Sequence, residues 1–156
     1  MKQLYLVQHG KAASEVEDPA RPLTEEGRDE VQRVAASVAK LNLQVSTIYH
    51  SGKLRAKQTA ELFAHVLAPA SVEEIEGLAP LDDPAVAKAL IERTDQPLML
   101  VGHLPHLSRL ASALTVTEHE VVKFQMGGVV ALVQTEPGWQ VAWMLTPEIA
   151  RLMGVP

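Results

Sequence analysis

The 156-residue chain contains no cysteine. That excludes a disulfide framework, a thiolate nucleophile and a cysteine zinc site, and it agrees with a cytoplasmic protein. Positive charge is not in excess either: 14 Lys and Arg stand against 19 Asp and Glu, for a net charge of -5. Such a chain lacks the basic face that nucleic acid or an anionic membrane would need, so any anion must be held by charges gathered locally. Long apolar runs are missing as well. The first, ending at Val7 and closed by His9 and Lys11, is too short for a signal peptide or a membrane span. The sequence has no internal repeat, low-complexity tract or linker, and its length suits one domain over residues 1–156 that buries about two-thirds of its unfolded surface. Nothing in it requires a second copy, and a monomer is expected.

What the sequence does contain is an alternation of two periodicities. Residues 4–7 read as a buried strand. A polar loop through Pro19 and Pro22 leads to Thr24, a natural N-cap, with Glu25 and Glu26 where the helix dipole favours acids. Val31, Val34, Ala35 and Val38 then recur at helical spacing and give that helix one apolar face. A second strand is predicted at 47–50, followed by a helix over 53–67 with Leu54, Ala60, Phe63 and Leu67 turned inward. The cycle repeats with a helix over 84–93, an apolar strand at 98–101 and a helix that starts with Pro105 in its first turn and runs to Leu114. Segments 128–135 and 141–145, joined across Pro137 and Gly138, read as a closing hairpin. The pattern predicts an α/β layer structure with a mainly parallel sheet, and such sheets place ligand sites beyond the carboxyl ends of their strands.

Three strand ends carry polar groups to that edge. The first stops on Gln8, His9 and Gly10, the second on His50 and Ser51 with Arg55 one turn into the next helix, and the third on Gly102 and His103. Two imidazoles and a guanidinium near helix N-termini would make a cradle for a phosphoryl group. Gln8-His9-Gly10, RPLTEEG at 21–27, SGKLRAKQTAE at 51–61 and VGHLPHL at 101–107 together resemble the histidine phosphatase superfamily, and within it the small SixA-type phosphohistidine phosphatase branch. The resemblance implies a three-layer, phosphoglycerate mutase-like sandwich with helices on both faces of the sheet. It also implies that His9 attacks phosphorus, that Arg55 clamps the phosphate, that His103 is the second active-site histidine and that Arg21 lies near the pocket. Gln8 stands where the superfamily has an arginine that contacts phosphate, and Lys11 or Arg21 could restore that charge. Gly52 stands where proline is common; glycine can still start the helix, at an entropic cost.

The chemistry of these residues is coherent without the resemblance. A neutral imidazole nitrogen is nucleophilic, provided a neighbour holds the proton on the other nitrogen. Arg55 offers planar charged donors, Gly10 would let the chain approach substrate closely, and a charged His103 would assist an equatorial oxygen. A neutral His9 with a charged His103 predicts a bell-shaped pH profile. Phosphate-binding candidates are therefore Gln8, Gly10, Arg21, Arg55 and His103. His103 and His106 do not read as a metal pair, because Pro105 intervenes and no carboxylate has matching spacing, so neither metal nor cofactor is expected. His50, His65 and His119 read as structural or exposed, and Thr24 and Gly27 as helix-start architecture. Taken alone, Arg55 could be a solvated basic-helix residue between Lys53 and Lys57. The expected substrate is a phosphohistidine protein. A small-molecule phosphomonoester would require an acid among Glu76, Asp82 and Asp83, a mutase would require more chain over the pocket, and loss of the arginine could leave a silent phosphate-recognition module.

Overall fold

In the computed structural model, which describes residues 2–154, the strands are β1 (Gln3–Gln8), β2 (Thr47–His50), β3 (Ser71–Glu74), β4 (Leu98–Gly102), β5 (Val129–Gln134) and β6 (Trp139–Leu145). The helices are α1 (Glu25–Ala39), α2 (Leu54–Leu67), α3 (Pro84–Arg93), α4 (His106–Thr115) and α5 (Pro147–Leu152). The side chains of β1 explain the layering. Tyr5 and Val7 pack in one core with Val31, Val34 and Val38 of α1, Ala60 and Phe63 of α2 and Ala150 of α5. Leu4 and Leu6 belong to a second core with Ile91 of α3 and Leu107, Leu110 and Leu114 of α4. Successive strand side chains point to opposite faces, so a strand that is apolar at every position must be covered twice. The result is the expected sandwich of helices, sheet and helices.

The sheet order is β3-β2-β4-β1-β5-β6. Strands β1 to β4 are mutually parallel, and β5 and β6 extend the sheet by antiparallel pairing as the closing hairpin. Thr24 caps α1 by accepting the Gly27 N–H at 2.9 Å, and all four predicted apolar positions of α1 are buried. Other details depart from the sequence pattern. Pro105 stands at the N-cap of α4 and not in its first turn. The buried stripe of α2 is Ala56, Thr59, Ala60 and Phe63, while Leu54 and Leu67 are half-buried. β3 carries no alternation because it is an edge strand with one half-buried and three exposed residues. α5 is six residues long, too short to display a period, although Thr146 before Pro147 and Glu148 is a helix-start signal. Among the described residues, no helix is long and apolar enough to cross a membrane.

Candidate active site

Parallel pairing brings the strand ends together. Gln8 is in register with Gly102 and His50 with Val101, and the His9 N–H continues the β1–β4 ladder by donating to the Gly102 carbonyl at 3.1 Å. His9 and His103 therefore leave adjacent strands at one edge. Their ring centroids are 5.0 Å apart with planes inclined at 50°, and both residues are buried, with 8% and 2% of their surface exposed.

His9 donates its Nδ1–H to its neighbour's carbonyl, Gly10 O, at 2.7 Å in the tautomer that satisfies this acceptor. Nε2 is then left with the lone pair and has no hydrogen-bond partner among the described residues. Burial, with the positive charges of Arg55 and Arg21, pushes the His9 pKa down to about 4 against a short-range opposing effect of the Gly10 bond. The ring is thus neutral near pH 7, the form that can attack phosphorus. Gly10 serves a need different from the one its sequence position suggested. A Cβ there would lie 2.7 Å from Val31 Cγ2 and 3.3 Å from Gly27 O, so glycine is required for β1 to meet α1 closely. Its N–H is already donated to Thr59 Oγ1 at 3.0 Å.

Helix α2 organises the remainder. Arg55, Gln58 and Thr59 are spaced i, i+3 and i+4, which places them on one helix face. Thr59 holds Gly10, Gln58 Oε1 accepts the Leu23 N–H at 2.8 Å, and Arg55 lies close enough to both histidines to lower their pKa values. Arg55 Nε is buried with no partner. Burial and the charge of Arg21 both act against its protonated form, so the site concentrates positive charge on an acidic protein. Arg21 has a left-handed backbone, φ 51°, and donates its Nε–H to Ala13 O at 2.9 Å. The loop carrying it is closed by pairing of Ala12 with Leu23 and by the Ala13 N–H to Pro22 O bond. Of the two cations that could replace the missing arginine, Arg21 is beside the site, whereas Lys11 pairs with Glu26 at 2.8 Å on the surface.

His103 is held by Ser51, whose Oγ is 2.6 Å from Nε2, while Nδ1 is buried without a partner. Burial and the neighbouring His9, Arg55, Lys53 and His106 push its pKa down to about 3. In the free protein His103 is therefore neutral, contrary to the charged form assumed from sequence. Among the described residues, the charges that shift His9 and His103 belong to arginine, lysine and histidine side chains, while Glu15 acts on Arg55. The candidate acids line a cavity of about 490 Å³ that opens beside Ser51. Asp83 caps α3 through the Ala85 N–H, Asp82 accepts the Ala79 N–H, and Glu76 shares that cavity wall. His50 is buried and accepts the Gly52 N–H on Nδ1 at 3.1 Å, as a structural histidine would; His65 and His119 are exposed.

Residues 4–82 match the family described as the histidine phosphatase superfamily (branch 1). The chain belongs to that superfamily. It is 34% identical over 139 residues to an uncharacterised protein of Picosynechococcus, covering 83% of this chain and 84% of the other. The phosphohistidine phosphatase SixA of Escherichia coli is 29% identical over 118 residues, 72% of this chain and 73% of that protein. A solved structure of the protein histidine phosphatase SixA complexed with tungstate superposes with a TM-score of 0.80 at 26% identity, covering 93% of this chain and 97% of that one. Within the superfamily the chain falls in the SixA-type branch, and phosphatase activity follows from this membership.

Two features of this superfamily member escaped its sequence pattern. Gly52 has φ +89°, and a Cβ there would lie 2.6 Å from the Glu74 carboxyl carbon. Proline, fixed near -65°, cannot take that backbone, so glycine is demanded here and is more than a tolerated start to α2. The contacts of Ser51 with His103 and of Thr59 with Gly10 are the second. For Thr59 the signal was present: a polar residue one helical turn after Arg55 must face the same way.

Proposed function

We propose that the protein is a phosphohistidine phosphatase acting through a covalent phospho-His9 intermediate. The observation that carries this reading is the state of His9: neutral, with its proton held on Nδ1 by Gly10 O, its Nε2 unpartnered, and Arg55 and Arg21 close by. Nε2 attacks phosphorus as the P–N bond of the substrate breaks. A phosphorylated imidazole that is already protonated on its other nitrogen leaves as neutral imidazole. Water then attacks phospho-His9 and loses a proton to solvent, inorganic phosphate is released, and the bonding pair returns to Nε2. The leaving group of the first step is an imidazole, with an ordinary pKa near 6.5 and far below that of an alcohol, so the transfer needs no external acid. Asp82 and Asp83, two of the candidate acids, are engaged with backbone N–H groups, which accords with that substrate class. An alkoxide leaving group from a phosphomonoester would need an acid.

In this reading Arg55 and Arg21, both near enough to His9 to lower its pKa, supply the charge that holds phosphoryl oxygens, and an oxyanion would satisfy the buried Arg55 Nε and His103 Nδ1, which lack partners among the described residues. The tungstate bound to the solved SixA is itself an oxyanion. With charge supplied by guanidinium groups, turnover should persist in EDTA. The deciding experiment is an alkaline quench during turnover of labelled phosphohistidine protein, since phosphoramidates survive base better than acid. Label should appear on His9, and His9→Ala should neither trap it nor turn over. Label on serine, or binding without turnover in the unmodified protein, would overturn the reading.

A further inference from the structure

We propose that Ser51 is a positioning residue that fixes the proton of His103 on Nδ1, so that a neutral imidazole serves as the N–H donor to the phosphoryl group. This rests on the phosphatase reading above and deepens it. The Ser51 hydroxyl lies 2.6 Å from His103 Nε2, and the same oxygen accepts the Lys53 N–H at 3.3 Å. A hydroxyl has one hydrogen to give. With one of its two lone pairs engaged by the Lys53 amide, the hydroxyl can give that hydrogen to Nε2, which then presents its own lone pair. In that arrangement the ring proton sits on Nδ1, the buried nitrogen that has no partner among the described residues.

On this proposal the alternative tautomer would turn a lone pair, and not a donor, toward the phosphoryl group. The surroundings do not offer a charged imidazole instead. Among the described residues, the charges that reach His103 are His9 after β1, Lys53 and Arg55 at the start of α2, and His106 on α4. His9 and His103 are thus set by different partners, a backbone carbonyl and a serine hydroxyl, to complementary ends: an Nε2 lone pair for attack and an Nδ1–H for the oxygens. Removing the hydroxyl frees His103 to exchange tautomers.

The test pairs ring ¹⁵N NMR of the substrate-free protein with kinetics on phosphohistidine peptide. Unmodified protein should show a protonated Nδ1 and an unprotonated Nε2 at His103. In Ser51→Ala that signature should blur toward a mixture, and kcat should fall about tenfold with little change in KM. Ser51→Thr, which keeps the hydroxyl, should recover both the signature and the rate. A proton on Nε2 in the unmodified protein, a Ser51→Ala ring unchanged from it, or a Ser51→Thr protein that keeps the hydroxyl without recovering the rate would each overturn the proposal. The NMR arm needs no turnover, so a correct tautomer in a protein inert toward phosphohistidine would instead count against the phosphatase reading.

Discussion

Gln8 occupies the position at which the superfamily ordinarily carries an arginine, and its backbone is fixed from both sides by Gly102 and Met126, with its carbonyl accepting the Gly127 N–H at 2.8 Å. A third guanidinium there would meet Arg55 and Arg21, which repel one another until phosphate arrives. Gln8→Arg should therefore raise kcat/KM tenfold or more, about 1.4 kcal/mol, chiefly through kcat. It should also lower the melting temperature of the empty protein, and inorganic phosphate should restore it. Steady-state kinetics and thermal melts with and without phosphate check both halves; a gain confined to KM would mean the new donor holds only ground-state phosphate. At this scale the sequence was informative about which residues gather, because strand ends mark one edge. It was silent on protonation. The tautomer of His9 depends on where one carbonyl points, and the neutrality of His103 depends on burial and neighbouring charges contributed by segments remote in the chain.

Among the elements, α2 does more than carry Arg55. Through Thr59 it supports the backbone turn after His9, and through Gln58 it supports the loop that ends in α1. Thr59→Val removes the acceptor of a buried N–H while keeping the volume, and should destabilise the protein by about 1–3 kcal/mol while also reducing kcat, although Thr59 is not placed to touch phosphate. Gly10→Ala drives a methyl group into Val31 and should cost a similar amount, about 1–3 kcal/mol, through overpacking. Urea unfolding with parallel rate measurements would test both. A Thr59→Val protein of unchanged stability would sink this account of α2. Elements with a repeated apolar face, such as α1 and α3, were legible from spacing alone. β3 and α5 were not, since an exposed edge strand and a six-residue helix offer no period to read.

Across the whole molecule, burial of neutral imidazoles links stability to pH. His9 and His103 have folded-state pKa values of about 4 and about 3, below the 6.5 of an unperturbed histidine, and burial lowers those of His50 and His106 as well. Between these values and 6.5 the unfolded chain binds protons that the native rings refuse. Their contribution to stability is therefore complete above pH 6.5 and declines as pH falls, levelling off near the native values. The urea midpoint should drop from pH 6.5 toward pH 4, with a shallower slope in His9→Gln; a midpoint level across that range would contradict the burial argument. The same values replace the bell expected from sequence: once the substrate's own titration is divided out, kcat/KM should show no histidine limb between pH 6 and 9. The sheet order carries a different consequence, for the birth of the protein. β1 lies between β4 and β5, so the strand that delivers His9 is translated long before either neighbour. A nascent chain halted after α3 has its nucleophile but neither His103 nor a partner along either edge of β1, and it is left with an apolar strand open to chaperones. Synthesis must pass β4 before His103 can join His9, so a chain halted earlier should lack phosphatase activity.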